Sequence, residues 1–155
     1  MNILFVCIGN ICRSPIAEGI LKHLAAKENL QWHIDSAATQ PYHIGEAPHQ
    51  HSQLVCAQQN IDISTQRARK FTDVDFQKFD KIYAMAIDVM DEIVHISGSS
   101  LNPHKLQLFL EELYPGQKRS VKDPWYGELD GYYEVFDQIN NTCKIIIEKY
   151  KHSSR

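Results

Sequence analysis

The chain has 155 residues, 43% of them hydrophobic and 23% charged, with a net charge of −3. A chain of this size reads as one domain over residues 1–155 and buries enough surface to need no disulfide or metal staple. Its composition excludes disordered, collagen-like and coiled-coil polymers, and its mild acidity gives no global pull toward nucleic acid or an anionic membrane.

Asn2 to Cys7 is a short Leu-, Val- and Phe-rich run, the pattern of a fully buried parallel strand. A turn follows, Ile8-Gly9-Asn10-Ile11-Cys12-Arg13, then Ser14-Pro15, with Ser at an N-cap and Pro at the first helical position. Ile16, Ala17, Ile20, Leu21 and Leu24 recur at helical spacing and predict a helix to about Glu28. Gln31 to Ser36 alternates, with Trp32 and Ile34 inward, and reads as a second strand. Residues 37–48 are a loop with Pro41, Gly45 and Pro48, and helical spacing returns at Leu54, Val55 and Gln58 up to about Asn60. Ile61 to Lys70 reads as loop, Lys81 to Ala86 as strand, and Asp88 to Ile96 as helix, broken by Gly98. Lys105 to Phe109 fits a fourth strand, although Leu106 to Leu113 fits a helix equally well. After a long loop, Tyr114 to Gly127, a final helix shows one apolar face: Tyr132, Phe136, Ile139, Cys143, Ile146 and Tyr150. Strands alternating with helices predict an α/β fold, a parallel sheet with helices on both faces.

The longest apolar run, Ile3 to Ile8, is far short of a membrane span and lacks the basic start of a signal peptide. The expectation is a cytoplasmic protein with no membrane partner. The sequon Asn140-Asn141-Thr142 lies inside a helical pattern and reads as chance. Four cysteines are too few for a disulfide scaffold and form no zinc ladder.

Their placement carries more. Cys7 ends the first strand, and Arg13 stands six residues on, at the start of a helix. The C-terminal edge of a parallel sheet is where such folds bind ligands. A loop entering a helix turns backbone N–H groups inward as an anion nest, and Gly9 permits backbone shapes closed to other residues. Arg13 offers a planar fork to two oxygens of a tetrahedral anion. That positive field favours the thiolate of Cys7, a nucleophile aimed at phosphorus, with Ser14 placed to hydrogen-bond the sulfur. The spacing alone fits a buried core cysteine beside a surface arginine equally well.

The segment Val6-Cys7-Ile8-Gly9-Asn10-Ile11-Cys12-Arg13-Ser14-Pro15 closely resembles the phosphate-binding loop of the low-molecular-weight protein tyrosine phosphatases. Asp35-Ser36-Ala37-Ala38-Thr39 resembles the segment after that family's second strand, and Asp123-Pro124-Trp125-Tyr126-Gly127 its general-acid loop. The resemblance covers essentially the whole chain. It implies a three-layer, doubly wound, four-stranded parallel sheet and a two-step hydrolysis of phosphotyrosine in proteins. Cys7 attacks the phosphomonoester, Arg13 and the loop amides hold phosphate or another oxyanion, and Asp123 serves as acid, then base. No cofactor and no metal are implied. Asp123 also reads as an ordinary turn-starter before Pro124.

By the same resemblance, Tyr42, Trp125 and Tyr126 wall the pocket and offer ring faces to an aryl group. Asn10 and Ser36 brace the loop; Asn also simply tolerates a left-handed turn. Cys12 is a redox partner for Cys7, or only a small loop residue. Three positions depart from the family pattern: Gln66 where a histidine often stands, Ala86 where an Asp is usual, and His49 where another Asp is usual. His43, His49 and His51 read as a solvated face rather than a metal site, and Arg67, Arg69 and Lys70 as a solvated or structurally paired loop. Tyr132 and Tyr133 read as packing residues, although one of them also fits a phosphorylation site. Related activities are a protein-arginine phosphatase, whose loop carries Thr where this chain has Ile11, and a thiol-dependent arsenate reductase. The reductase needs further cysteines near residues 80–90, and none lies between Cys56 and Cys143.

Overall fold

The computed structural model describes residues 1–125 and 127–153. Four strands, β1 (Asn2–Cys7), β2 (His33–Ala38), β3 (Lys81–Ala84) and β4 (Leu106–Leu108), pair in the order β2-β1-β3-β4, all parallel. Among the described residues five α-helices accompany them: α1 (Arg13–Lys27), α2 (Gln50–Ala57), α3 (Asp75–Lys78), α4 (Ile87–Ser97) and α5 (Leu129–Tyr150).

The alternation of β1 divides the core in two. Ile3, Phe5 and Cys7 face α1, α2 and α5, where they meet Ile16, Ile20, Val55, Ile139 and Ile146. Leu4 and Val6 face the other way, against Phe76 of α3 and Val89 and Ile93 of α4. Helices therefore cover both faces, as the doubly wound reading expects. Burial of each such side chain contributes roughly 1.5–3 kcal/mol, which makes β1 the spine of the molecule.

The chain winds from β1 to β2 on one side and returns past β1 to β3 on the other. The direction of winding reverses between β1 and β3, which opens a crevice beyond the C-terminal end of β1. Cys7 is the last residue of β1, so the crevice falls on the 8–12 loop.

Several boundaries differ from the sequence reading. β2 starts two residues later, because its register against β1 (Asn2↔His33 to Cys7↔Ala38) fixes it rather than the Trp32–Ile34 alternation. In α2 the buried residues are Ser52, Val55 and Cys56, while Leu54 is exposed. The one-turn α3 has no periodic signal. Asp75 starts it, accepting from the Thr72 N–H at 3.0 Å and pairing with Arg69 at 3.1 Å. The 106–108 segment is a strand, followed by a 3-10 turn at Phe109–Glu111. Gly19 lets the 61–66 segment lie against α1, since a Cβ there would meet Ile63 Cγ2 at 2.4 Å. No described helix is long and apolar enough to cross a membrane.

Candidate active site

The loop after β1 and the first turn of α1 form the floor of the site. Helix α1 begins at Arg13, not after Ser14, and Cys12 occupies its N-cap position without a side-chain cap. Ser14 is engaged elsewhere. Its Oγ lies 2.9 Å from Cys7 Sγ and accepts from Asn10 Nδ2 at 2.8 Å. Accepting from Asn10 leaves the Ser14 proton free to point at the sulfur.

Asn10 is the keystone of the loop. Its backbone is left-handed, with φ of 58°, a shape Asn adopts more readily than most residues. Its Nδ2 also donates to Ser36 Oγ at 2.8 Å, and its Oδ1 accepts the Arg69 backbone N–H at 3.1 Å. That N–H can only donate, which fixes the orientation of the amide. Ser36 Oγ donates onward to Glu18 Oε1 at 2.6 Å, and Lys22 Nζ donates to Glu18 Oε2 at 2.7 Å. A continuous chain of hydrogen bonds thus links a buried carboxylate to the Cys7 sulfur, with Asn10 donating toward both ends. Glu18 was missed in the sequence reading, though a carboxylate beside Ala17 on the apolar face of α1 is a readable signal.

Gly9 plays a different part from the one expected. Its φ lies outside the left-handed region, which Asn10 takes instead. The constraint there is proximity: a Cβ on Gly9 would sit 3.0 Å from His43 Cδ2, and the histidine ring would have to give way.

Arg13 is buried. Its Nη1 donates to the Val121 carbonyl at 3.0 Å, and its Nη2 lies 3.7 Å from Asp123 Oδ2. The other Asp123 oxygen accepts the Trp125 N–H at 3.0 Å, which closes a tight turn. Together these elements enclose a cleft of about 150 Å³ lined by Cys7, Ile8, Gly9, Ile11, Cys12, Arg13, Tyr42, His43, Asp123 and Trp125. Tyr42 and Trp125 stand exposed at its mouth. Tyr126 lies outside the described residues.

The three histidines are not a solvated face. His43 packs at 5.3 Å from Trp125 and pairs with Glu46 through Nδ1 at 3.0 Å. His49 touches Trp125 at 5.4 Å and stacks on Tyr132 at 5.1 Å, and His51 meets Tyr132 edge-on. Burial, then the nearby His51, lowers the pKa of His49. Tyr132 continues this aromatic wall inward, its hydroxyl 3.6 Å from Cys12 Sγ. Burial pushes the Cys12 thiol up to about 12. Among the described residues, no group of three or more His, Cys, Asp or Glu side chains is placed to hold a metal ion.

The profile of the family described as low molecular weight phosphotyrosine protein phosphatase matches residues 2–155. The chain belongs to this family. A low molecular weight phosphotyrosine protein phosphatase of Gallus gallus is 36% identical over 151 residues, covering 96% of this phosphatase and 94% of the relative. The crystal structure of YfkJ from Bacillus subtilis superposes with a TM-score of 0.89 at 30% identity, covering 100% of this chain and 97% of that one. The crystal structure of DARP, a drosophila arginine phosphatase, superposes with a TM-score of 0.88 at 35% identity, covering 97% and 98% of the two chains.

Proposed function

We propose that this phosphatase hydrolyses phosphotyrosine in proteins, and aryl phosphomonoesters, through a phosphocysteine on Cys7. The observation that carries the reading is the convergence of Cys7, Arg13 and Asp123 on one small cleft with aromatic walls. In the first step the Cys7 thiolate attacks phosphorus in line and an S–P bond forms. The ester P–O bond breaks, and the leaving phenolate takes the Asp123 proton. A phenol has a pKa of ~10, so donation assists its departure. The loop N–H groups and the Arg13 fork hold the equatorial oxygens as charge develops on them. In the second step Asp123 removes a proton from water, whose oxygen attacks phosphorus. The S–P bond breaks, inorganic phosphate leaves, and the Ser14 hydroxyl receives the returning thiolate.

Asn10 and Ser36 hold the loop in this reading, while Tyr42, Trp125 and Tyr126 stack on the aryl ring. Residues 1–155 act as one catalytic domain on cytoplasmic phosphoproteins. Cys12 acts as the redox partner: once peroxide converts Cys7 to a sulfenic acid, the Cys12 sulfur forms the S–S bond as the S–O bond breaks, and the Cys12 thiol proton leaves with the hydroxyl as water.

The likeness to an arginine phosphatase supports a second substrate, phosphoarginine. Ile11 lines the cleft and is buried, and a branched apolar side chain there suits an aromatic ester better than a guanidinium. Two assays decide. Hydrolysis of an aryl phosphate should vanish in Cys7→Ser and survive a chelator; persistence in the variant, or loss on chelation, overturns the cysteine mechanism. Phosphotyrosine peptides should turn over faster than phosphoarginine peptides; the reverse order overturns the reading of Ile11.

A further inference from the structure

Trp125 ties the acid turn to the rest of the molecule. Its N–H donates to one oxygen of Asp123, so a shift of Trp125 moves the carboxyl that the turn presents to the cleft. Its ring meets two histidines among the described residues: His43 at 5.3 Å, tilted by 49°, and His49 at 5.4 Å, edge-on. The two are not equally held. The side-chain partner of His43 is Glu46, three residues on, whose carboxylate is 57% exposed.

His49 is fixed on several sides. Its backbone N–H donates to the Ile11 carbonyl at 2.8 Å, and its carbonyl accepts the Gln53 N–H at 3.0 Å. Its Nδ1 accepts the His51 N–H at 3.0 Å and so caps α2. An N–H can only donate, so Nδ1 carries no proton and the neutral ring holds its proton on Nε2. The lowered pKa of His49 agrees with that assignment. One face of the ring stacks on Tyr132, 5.1 Å away at 21°, and Tyr132 is fully buried. Ile11 belongs to the loop that follows Cys7. His49 therefore joins the phosphate loop through its backbone and the acid turn through its ring. Ring pairs have preferred edge-to-face and stacked geometries, so a ring held in place orients the ring it touches.

We propose that His49 is a positioning residue for the proton-transfer step: its ring holds Trp125 and, through Trp125, sets Asp123 over the phosphate seat. The proposal rests on the reading of Asp123 as the general acid. His49 is not among the residues that line the cleft, so it acts through Trp125 rather than on the substrate.

Two variants separate the ring from the cap. His49→Asn removes the ring and keeps a good helix cap, while His49→Phe keeps a ring and gives up the cap. The readout is kcat/KM on phenyl phosphate, whose leaving group needs a proton, and on 4-nitrophenyl phosphate, whose leaving group needs it far less. His49→Asn should lower kcat/KM about tenfold or more on phenyl phosphate and less than about threefold on the nitrophenyl ester. His49→Phe should return phenyl phosphate turnover to within about threefold of the parent, at a lower denaturation midpoint. In an Asp123→Asn background, His49→Asn should add little further loss, because both changes act on one proton transfer. Equal losses on the two esters in His49→Asn, no rescue by His49→Phe, or a full further loss in the Asp123→Asn background overturns the proposal. Asp123→Asn alone reads the acid assignment. A split between the esters there, with none in His49→Asn, sinks the proposal and leaves the assignment standing, whereas equal losses in Asp123→Asn sink both.

Discussion

The two sides of the catalytic cleft are built on different terms. On the nucleophile side, Cys7, Asn10 and Ser14 are buried, and every side chain in the chain Cys7–Ser14–Asn10–Ser36–Glu18–Lys22 is bonded to the next. On the acid side, the Asp123 carboxyl is 43% exposed. That segment is anchored at Val121, whose N–H donates to the Met85 carbonyl at 2.8 Å and whose carbonyl accepts from Arg13. Beyond Val121 the bonds are local, within the turn that Asp123 makes with Trp125 and Pro124 with Gly127. The phosphate seat is thus set by a buried hydrogen-bond network before substrate arrives, while the proton donor is held by the Val121 anchor, its contact with Arg13 and the packing of Trp125 on His43 and His49. A fixed donor array costs no reorganisation as charge develops, which is where rigidity helps most.

Asp123→Asn tests the acid side and should have the larger effect. With a phenol of ordinary basicity as leaving group, kcat should fall about 10²–10⁴-fold, and much less with an acidic nitrophenol. Equal losses on both esters would show that Asp123 positions substrate rather than donating a proton.

Asn10→Ala tests the preset side. It strips partners from Ser14, Ser36 and the Arg69 N–H at once, in a buried setting. Stability should fall by about 1–3 kcal/mol, measured by denaturant unfolding, and kcat should fall with it while Cys7 remains in place. A variant as stable and active as the parent would mean that the loop holds its shape without the network.

The smallest expected effect is on stability at high pH. Burial holds the Cys12 and Cys56 thiols up at about 12, against an ordinary value of 9.0. Above pH 9 the unfolded chain releases these protons and the folded chain keeps them. Stability is therefore full below that point and falls as pH rises toward about 12. Thermal unfolding scans across this range should show the decline, and Cys56→Ala should make it shallower. An unchanged slope would place the alkaline sensitivity elsewhere.

What the sequence made legible follows from range. The β1 run, the Cys-to-Arg loop and the α5 stripe are local patterns, and each folds as its own residues dictate. β2 was displaced because a parallel neighbour sets its register, and α3 was missed because Asp75 and Arg69 rather than periodicity hold it. In the site, Cys7, Arg13 and Asp123 were legible through a family resemblance, and the structure brings them to one cleft. Glu18 and the His43–Trp125–His49–Tyr132 wall were not. They act through contacts between segments remote in the chain, such as Cys12 with Tyr132, which no local spacing encodes. Gly9 and Asn10 were both read as able to take an unusual turn, and Asn10 is the one that takes the left-handed shape, since a sequence shows which residues tolerate a shape but not which one adopts it.

The central claim is the covalent intermediate, and the direct measurement is mass analysis of protein quenched with acid during turnover of a phosphotyrosine substrate. A phosphoryl adduct should appear on the peptide that holds Cys7, build up within the first turnover and be absent from Cys7→Ala. Turnover with no adduct, or an adduct on any other residue, would contradict the account.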